Sequence, residues 1–380
     1  MAIRVNPKLI DELERYGADD VKNCYHCGNC SAVCPHSNET YVFPRRSMRL
    51  LQMGLERRIE TSLLPWLCYY CGQCSEQCPR DAEPGETMMS LRRWLISRYD
   101  FTGLARRCYK SWKFELGATL LVALCTALGL LLYGFSRGDI RAYDGPGAFL
   151  PSPAIHLFDY VLGLTVLAFL AANAIRMWWL TMIQNREVSV SLWLYVKRIY
   201  LLPVHFFTQM RYAQCGEKWS WLIHLGLVFG YVTMLVLILG YLEPLQSGPS
   251  IRWSVHVFGY LASIGLLGST IYLLQGRLSK QRTQHRYTQF SDWTFLVLLL
   301  IVAATGVLQH LAHRLGYPMA ANIVYVVHLS AVVTWFSRYP FTKWAHIIYR
   351  PLAMYFGEIR REALVARSHA PAAVPQLQKA

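Results

Sequence analysis

The chain has 380 residues, 54% of them hydrophobic and only 16% charged, with a formal net charge of +15. That charged fraction is well below the quarter usual in soluble domains, which excludes a wholly water-soluble chain, and the length leaves room for two or three domains. The deficit is uneven: residues 1 to 113 hold 17 Lys/Arg and 13 Asp/Glu, an ordinary soluble surface, and apolar blocks begin after Trp112.

The opening stretch, "MAIRVNPKLIDELERYG", has no apolar h-region, so no signal peptide is expected. The first domain is therefore expected on the cytoplasmic side, which is reducing and suits thiolate ligands. Two cysteine runs follow. Cys24, Cys27, Cys30 and Cys34 precede Pro35, and Cys68, Cys71, Cys74 and Cys78 precede Pro79. Both read C-x2-C-x2-C-x3-C-P, the run that binds a cubane [4Fe–4S] cluster. Three thiolates two residues apart wrap one face of the cube, and in two-cluster domains the fourth ligates the other cluster. The expected ligand sets are Cys24, Cys27, Cys30 and Cys78 for the first cluster, and Cys68, Cys71, Cys74 and Cys34 for the second. Zinc usually takes two C-x2-C pairs far apart, and disulfides need an oxidising compartment. Cys108, Cys125 and Cys215 stand apart from both runs and are expected to be inert thiols.

Six apolar stretches of membrane-spanning length come next: Phe114–Phe135, His156–Leu180, Trp219–Tyr241, Trp253–Leu274, Asp292–His310 and Ala320–Ser337. Loops 181–218 and 275–291 and the stretch after Ser337 carry five, four and seven Lys/Arg, against two, one and one in 136–155, 242–252 and 311–319. Positive charge marks the inner side, so both termini are expected in the cytoplasm of a prokaryotic cell with the chain in its inner membrane. The net charge follows this topology, so nucleic-acid binding is set aside. Between the second and third spans, 188–212 mixes aromatics with Lys197, Arg198 and Arg211 and reads as an amphipathic segment on the inner membrane surface. Residues 351–380 are expected to form a cytoplasmic tail, disordered at its end.

Ionisable groups inside spans are costly, which singles out the histidines. His224 lies near the inner start of the third span, His256 and His310 near the outer ends of the fourth and fifth. His328 lies inside the sixth, and His346 follows it. A lone buried histidine is commonly a hydrogen-bonded packing residue. Five at two depths, in a chain with iron–sulfur motifs, point to imidazole pairs holding haem b. If helical throughout, the 18 residues from His328 to His346 span roughly 27 Å, so the two serve different centres.

"HLSAVVTWFSRYPFTKWAH", from His328 to His346, resembles the last span of the di-haem cytochrome b subunit of respiratory nitrate reductase, and "WLIHLGLVFGYVTM" resembles its partner span. By that resemblance His224 pairs with His346 on the haem nearer the cytoplasm. The family's second ligand on the partner span falls on Met234, so a second haem would join His328 to His256, or to His310 or Met234. His310 is also a candidate for the quinone site. "CYHCGNCSAVCP" and "CYYCGQCSEQCPRDAEPGETMMSLRRW" resemble the small iron–sulfur subunit of heterodisulfide reductase. A fusion of the two resembles the C subunits of quinone-interacting membrane-bound oxidoreductases and covers the chain except its tail.

The resemblance implies a mainly α protein. A ferredoxin-like α-helical domain with two [4Fe–4S] clusters fills 1–112, and a six-helix transmembrane haem b bundle fills 113–350. The implied function is electron transfer, as a subunit of a quinone-linked oxidoreductase, between the menaquinone or quinone pool and cytoplasmic flavin/Fe–S subunits similar to heterodisulfide reductase A. Adenylylsulfate reductase in sulfate respiration is the implied downstream partner. No Cys-Cys-Gly element and no G-x-G-x-x-G after a strand occurs, so disulfide reduction and flavin binding fall to partners. The alternatives are a heterodisulfide reductase or sulfite-reduction membrane subunit, and a haem-free anchor.

Overall fold

The structure, a computed structural model, describes residues 4–140, 149–185, 189–216, 218–247 and 253–369. Every regular element among them is helical.

The two cysteine runs fold alike. In each, the residue before the second cysteine takes a positive φ (His26 65°, Tyr70 57°), and the glycine after that cysteine does so again (Gly28 93°, Gly72 90°). Glycine enters this region with no Cβ penalty, and in both runs it opens a one-turn helix, Asn29–Ala32 and Gln73–Glu76. Pro84, whose ring pre-sets the dihedral of a first helical turn, starts the helix Pro84–Tyr99, buried on nearly every side. Its Leu91, Trp94, Leu95 and Tyr99 pack into one core with Leu9, Leu13, Tyr16, Met48, Leu51 and Trp66.

Six helices are long and apolar enough to cross a membrane, close to the expected limits: Trp112–Arg137, Ser152–Ile183, Lys218–Tyr241, Val255–Ser279, Phe290–Arg314 and Pro318–Ser337. Half of the sixth span's apolar window is buried, against 6% for the first. The sixth is thus the bundle's axis, while Leu120, Leu124, Leu128 and Leu132 of the first face outward, where lipid would cover them. The third and fourth spans approach through small residues. A Cβ on Gly230 would lie 2.8 Å from the Ala262 carbonyl oxygen, and one on Gly265 2.9 Å from that of Gly226, the close contact that small residues permit between membrane helices.

The described part of the amphipathic segment forms three short helices, Leu192–Lys197, Leu201–Thr208 and Met210–Ala213. They expose Leu192, Trp193, Val196 and Phe207, while Lys197 and Arg198 bond Glu362 at 2.6 and 2.7 Å. The sixth span stops short of His346, at its expected limit. It ends at Ser337, and the chain turns through Pro340 before a closing helix, His346–His369, because a proline interrupts the helical hydrogen bonds. Residues 351–369 are accordingly no tail. Met354, Tyr355, Phe356 and Ile359 are buried in the core of the cysteine domain, and Tyr41 donates to the Gly357 carbonyl at 2.5 Å. Residues 370–380 lie outside the described residues.

Candidate functional site

The fold groups the eight thiols across the two runs. Cys30 has Cys24, Cys27 and Cys78 as its electrostatic neighbours, and Cys34 has Cys68 and Cys71, with Cys74 beside Cys68, Cys71 and Cys34 and, more weakly, Cys30. Asn29 Nδ2 donates to the Gln77 carbonyl at 2.5 Å, tying the first run to the turn that carries Cys78. Backbone amides point at sulfurs: Tyr70 N–H to Cys68 Sγ and Ala82 N–H to Cys78 Sγ, both at 3.3 Å. Burial pushes the Cys30 and Cys34 thiols up to about 11. Their protons leave when a metal takes their place, not through local charge. Among the described residues no three His, Cys, Asp or Glu side chains converge on one point as around a single ion.

Where the cysteine domain meets the bundle, a cavity is lined by Tyr69, Arg92, Tyr212, His224, His346 and Arg350, among others. The rings of His224 and His346 face each other across 6.4 Å, tilted by 63°. With metal–imidazole bonds of about 2 Å and about 1.2 Å from nitrogen to ring centre, two axial imidazoles on one metal stand about 6.4 Å apart. That spacing would let the two imidazoles hold one haem between them. His346 Nδ1 donates to the Lys343 carbonyl at 2.5 Å, fixing the tautomer that leaves Nε2 for a metal. His224 Nδ1 is buried with no hydrogen-bond partner. Burial also holds His346 well below the ordinary histidine range, in the neutral form that ligates metals.

Rings connect this pair to the second cysteine run. Tyr69, next to Cys68, stacks on Tyr212 at 5.7 Å, and Tyr212 meets His224 edge-on at 5.9 Å. The Arg350 guanidinium lies 3.7 Å over Tyr69, and its Nη2 donates to the Cys68 carbonyl at 3.2 Å.

The remaining histidines are arranged differently. His328 Nδ1 meets Thr305 Oγ1 at 3.0 Å and packs against Gly306. His256 and His310 face each other at 5.8 Å; His256 Nε2 meets Arg314 Nη2 at 3.2 Å, and His310 Nε2 meets the Tyr260 hydroxyl at 2.9 Å. Met234 packs with the apolar cluster around Leu299 and Trp335. No ring contact or hydrogen bond joins His328 to His256, His310 or Met234, because His328 turns toward the fifth span's Thr305 while His256 and His310 bond Arg314 and Tyr260.

Spacing gave no sign of two residues at the second run. Cys215, expected to be inert, is buried in the loop before the third span and lies near Cys71. His36 Nε2 lies 2.9 Å from Cys215 Sγ. Contacts between residues so far apart in the chain leave no periodic trace.

Residues 20–82 match the family described as a 4Fe-4S dicluster domain. No curated protein and no solved structure matches the chain. An N-terminal 4Fe-4S dicluster domain joined to six membrane-length helices is the build of a membrane electron-transfer subunit.

Proposed function

We propose that the chain relays electrons between the membrane quinone pool and a cytoplasmic flavin/Fe–S partner, as the membrane subunit of a quinone-linked oxidoreductase similar to the quinone-interacting membrane-bound type. Cys24, Cys27, Cys30 and Cys78 hold one [4Fe–4S] cluster, and Cys34, Cys68, Cys71 and Cys74 the other, a division supported by their grouping in space. His224 and His346 hold haem b. Such groups, when bound, exchange one electron at a time. The observation that carries the reading is the 6.4 Å His224–His346 pair, two ring contacts from Tyr69 and so from a cysteine of the second run.

The residues around these groups position and insulate them. Lys343 orients the His346 ring through its carbonyl, and Arg350 pins the Cys68 backbone. The excess of Lys/Arg in loops 181–218 and 275–291 supports a cytoplasmic cluster side, where adenylylsulfate reductase is the proposed partner. His310, hydrogen-bonded to Tyr260 at the opposite end of the bundle, is the proposed quinone contact.

Purification from native membranes tests this, with haem quantification, a reduced-minus-oxidised spectrum and identification of the accompanying subunits. A haem b α-band and a flavin-containing partner are the expected results. Intact clusters without haem would leave a membrane anchor. Heterodisulfide-reductase or sulfite-reductase subunits in place of the expected partner would move the relay to those systems.

A further inference from the structure

The cavity that His224 and His346 face has a polar end which those two rings do not account for. Much of its lining is apolar, with Leu227, Val228, Leu273, Phe295, Leu296 and Ile347 in it. Three other lining residues come from one stretch of chain, the end of the fourth span and the loop after it: Tyr272, Arg277 and His285. Each carries a buried polar atom without a hydrogen-bond partner, the Tyr272 hydroxyl oxygen, Arg277 Nε and His285 Nδ1. Arg277 is only 9% exposed. Its Nη1 donates to the Thr288 hydroxyl at 3.1 Å, and that neutral partner offers no counter-charge. Asp292, the one acidic residue in the described lining, is already bonded to Arg93 and Lys343 at 3.2 and 2.7 Å. A buried guanidinium left without a counter-charge is costly, so this end of the cavity is built for an anion.

We propose that Arg277 and Tyr272 bind a carboxylate of the tetrapyrrole held by His224 and His346, which turns the propionate edge of haem b toward the inner end of the fourth span. A haem b macrocycle is apolar except for two propionates on one edge, so it needs apolar walls and, at one side, donors with positive charge. Of the other cations in the described lining, Arg93 and Lys343 are taken up by Asp292, and Arg92 and Arg350 by the Cys68 carbonyl. Arg277 is the one left over. Because Thr288 engages Nη1, the donors that remain to Arg277 are Nε and Nη2, the side-on fork that matches the two oxygens of a carboxylate. The Tyr272 hydroxyl supplies a further donor, and the Arg282 guanidinium, 5.5 Å over the Tyr272 ring, adds positive potential there. His285 closes the side: its ring packs so near Gly276 that a Cβ there would lie 2.3 Å from Nδ1.

This inference rests on the proposed haem ligands, and the test separates the two. The full chain, purified in detergent with its cofactors, is studied by resonance Raman spectroscopy and by redox titration of the haem α-band, with haem quantified alongside. Arg277→Gln and Tyr272→Phe are each expected to keep the haem and to shift the propionate bending band, which reports hydrogen bonds to those carboxylates. Reduction adds an electron near the guanidinium, so loss of that charge favours the oxidised haem. The midpoint of Arg277→Gln is expected to fall by roughly a tenfold change in the one-electron equilibrium, about 59 mV. Arg277→Lys, which keeps the charge, is expected to stay closer to the wild-type value. Should Arg277→Gln lose its haem or fail to accumulate, Tyr272→Phe, which sheds a single hydroxyl, decides alone by its propionate band. An unshifted propionate band in the haem-loaded variants overturns the inference. So does a change confined to bound quinone, which would give these donors to a quinone carbonyl. Absence of haem from the wild type would instead defeat the assignment of His224 and His346.

Discussion

Arg93, on the long helix of the cluster domain, reaches Asp292 at the head of the fifth span. Nη2 and Oδ2 are 3.2 Å apart, with 5% and 2% of the two side chains exposed. Glu86 holds the other side of Arg93 at 2.7 Å, and Lys343 the other side of Asp292 at 2.7 Å. Four alternating charges thus bind the cluster domain to the bundle, three of them almost wholly buried and Lys343 about a quarter exposed. Such an array contributes little over an apolar interface, but each member is costly to remove alone because its neighbour stays buried and uncompensated.

Arg93→Met is accordingly expected to destabilise the detergent-solubilised protein by about 3–5 kcal/mol. Asp292→Asn is expected to do the same, and the double variant to cost clearly less than the sum of the two. Thermal unfolding of the three variants reads this; strict additivity would mean that the two groups do not interact.

Cluster ligation is expected to cross between the runs. Cys78→Ser should remove the iron held with Cys24, Cys27 and Cys30, and Cys34→Ser the iron held with Cys68, Cys71 and Cys74, because the fold groups the thiols that way. Iron analysis and EPR of the two variants check it. Loss of the cluster of the substituted residue's own run would reverse the pairing.

His224→Ala and His346→Ala are each expected to abolish the same haem b signal, since their rings share one 6.4 Å gap. His328→Ala is expected to spare that signal, because His328 bonds Thr305 instead. Optical spectra of the purified variants are the measurement, and full haem content in His346→Ala would remove the pair from consideration.

His285, in the loop between the fourth and fifth spans, is expected to make the protein acid-sensitive. Burial, reinforced by Arg277, Arg282 and Lys343, pushes its pKa down to about 4. Between that value and the unfolded histidine's value of about 6.5 the unfolded chain binds the extra proton, so stability falls as pH drops through this window and is fully present above it. At about 1.4 kcal/mol per pKa unit the contribution is at most on the order of 3 kcal/mol. Melting curves at pH 7 and pH 5 are expected to converge in His285→Gln relative to wild type; an equal acid loss in both would clear His285 of the role.

The spans and the cysteine runs were readable because each depends on local pattern alone: uninterrupted apolar length in one case, fixed thiol spacing in the other. His224 and His346 were readable as a pair only through resemblance to a known family. What stayed hidden depends on distant contact. Met354, Tyr355, Phe356 and Ile359 sit among charged neighbours in "PLAMYFGEIRREAL", and nothing local says that the opposite end of the chain covers them. Cys215 looked solitary because its partner His36 lies far from it in the chain. The positive φ of His26 and Tyr70 was equally invisible, since neither residue type announces it.

The closing helix also sets a timetable. The cysteines leave the ribosome before the six membrane-length helices, yet Tyr349, Ala353, Phe356 and Ile359, which complete the core around them, leave it after them. Between those two moments all six spans must be threaded into the bilayer. The cluster domain therefore waits, incompletely closed, through the whole of membrane insertion, until the final helix docks.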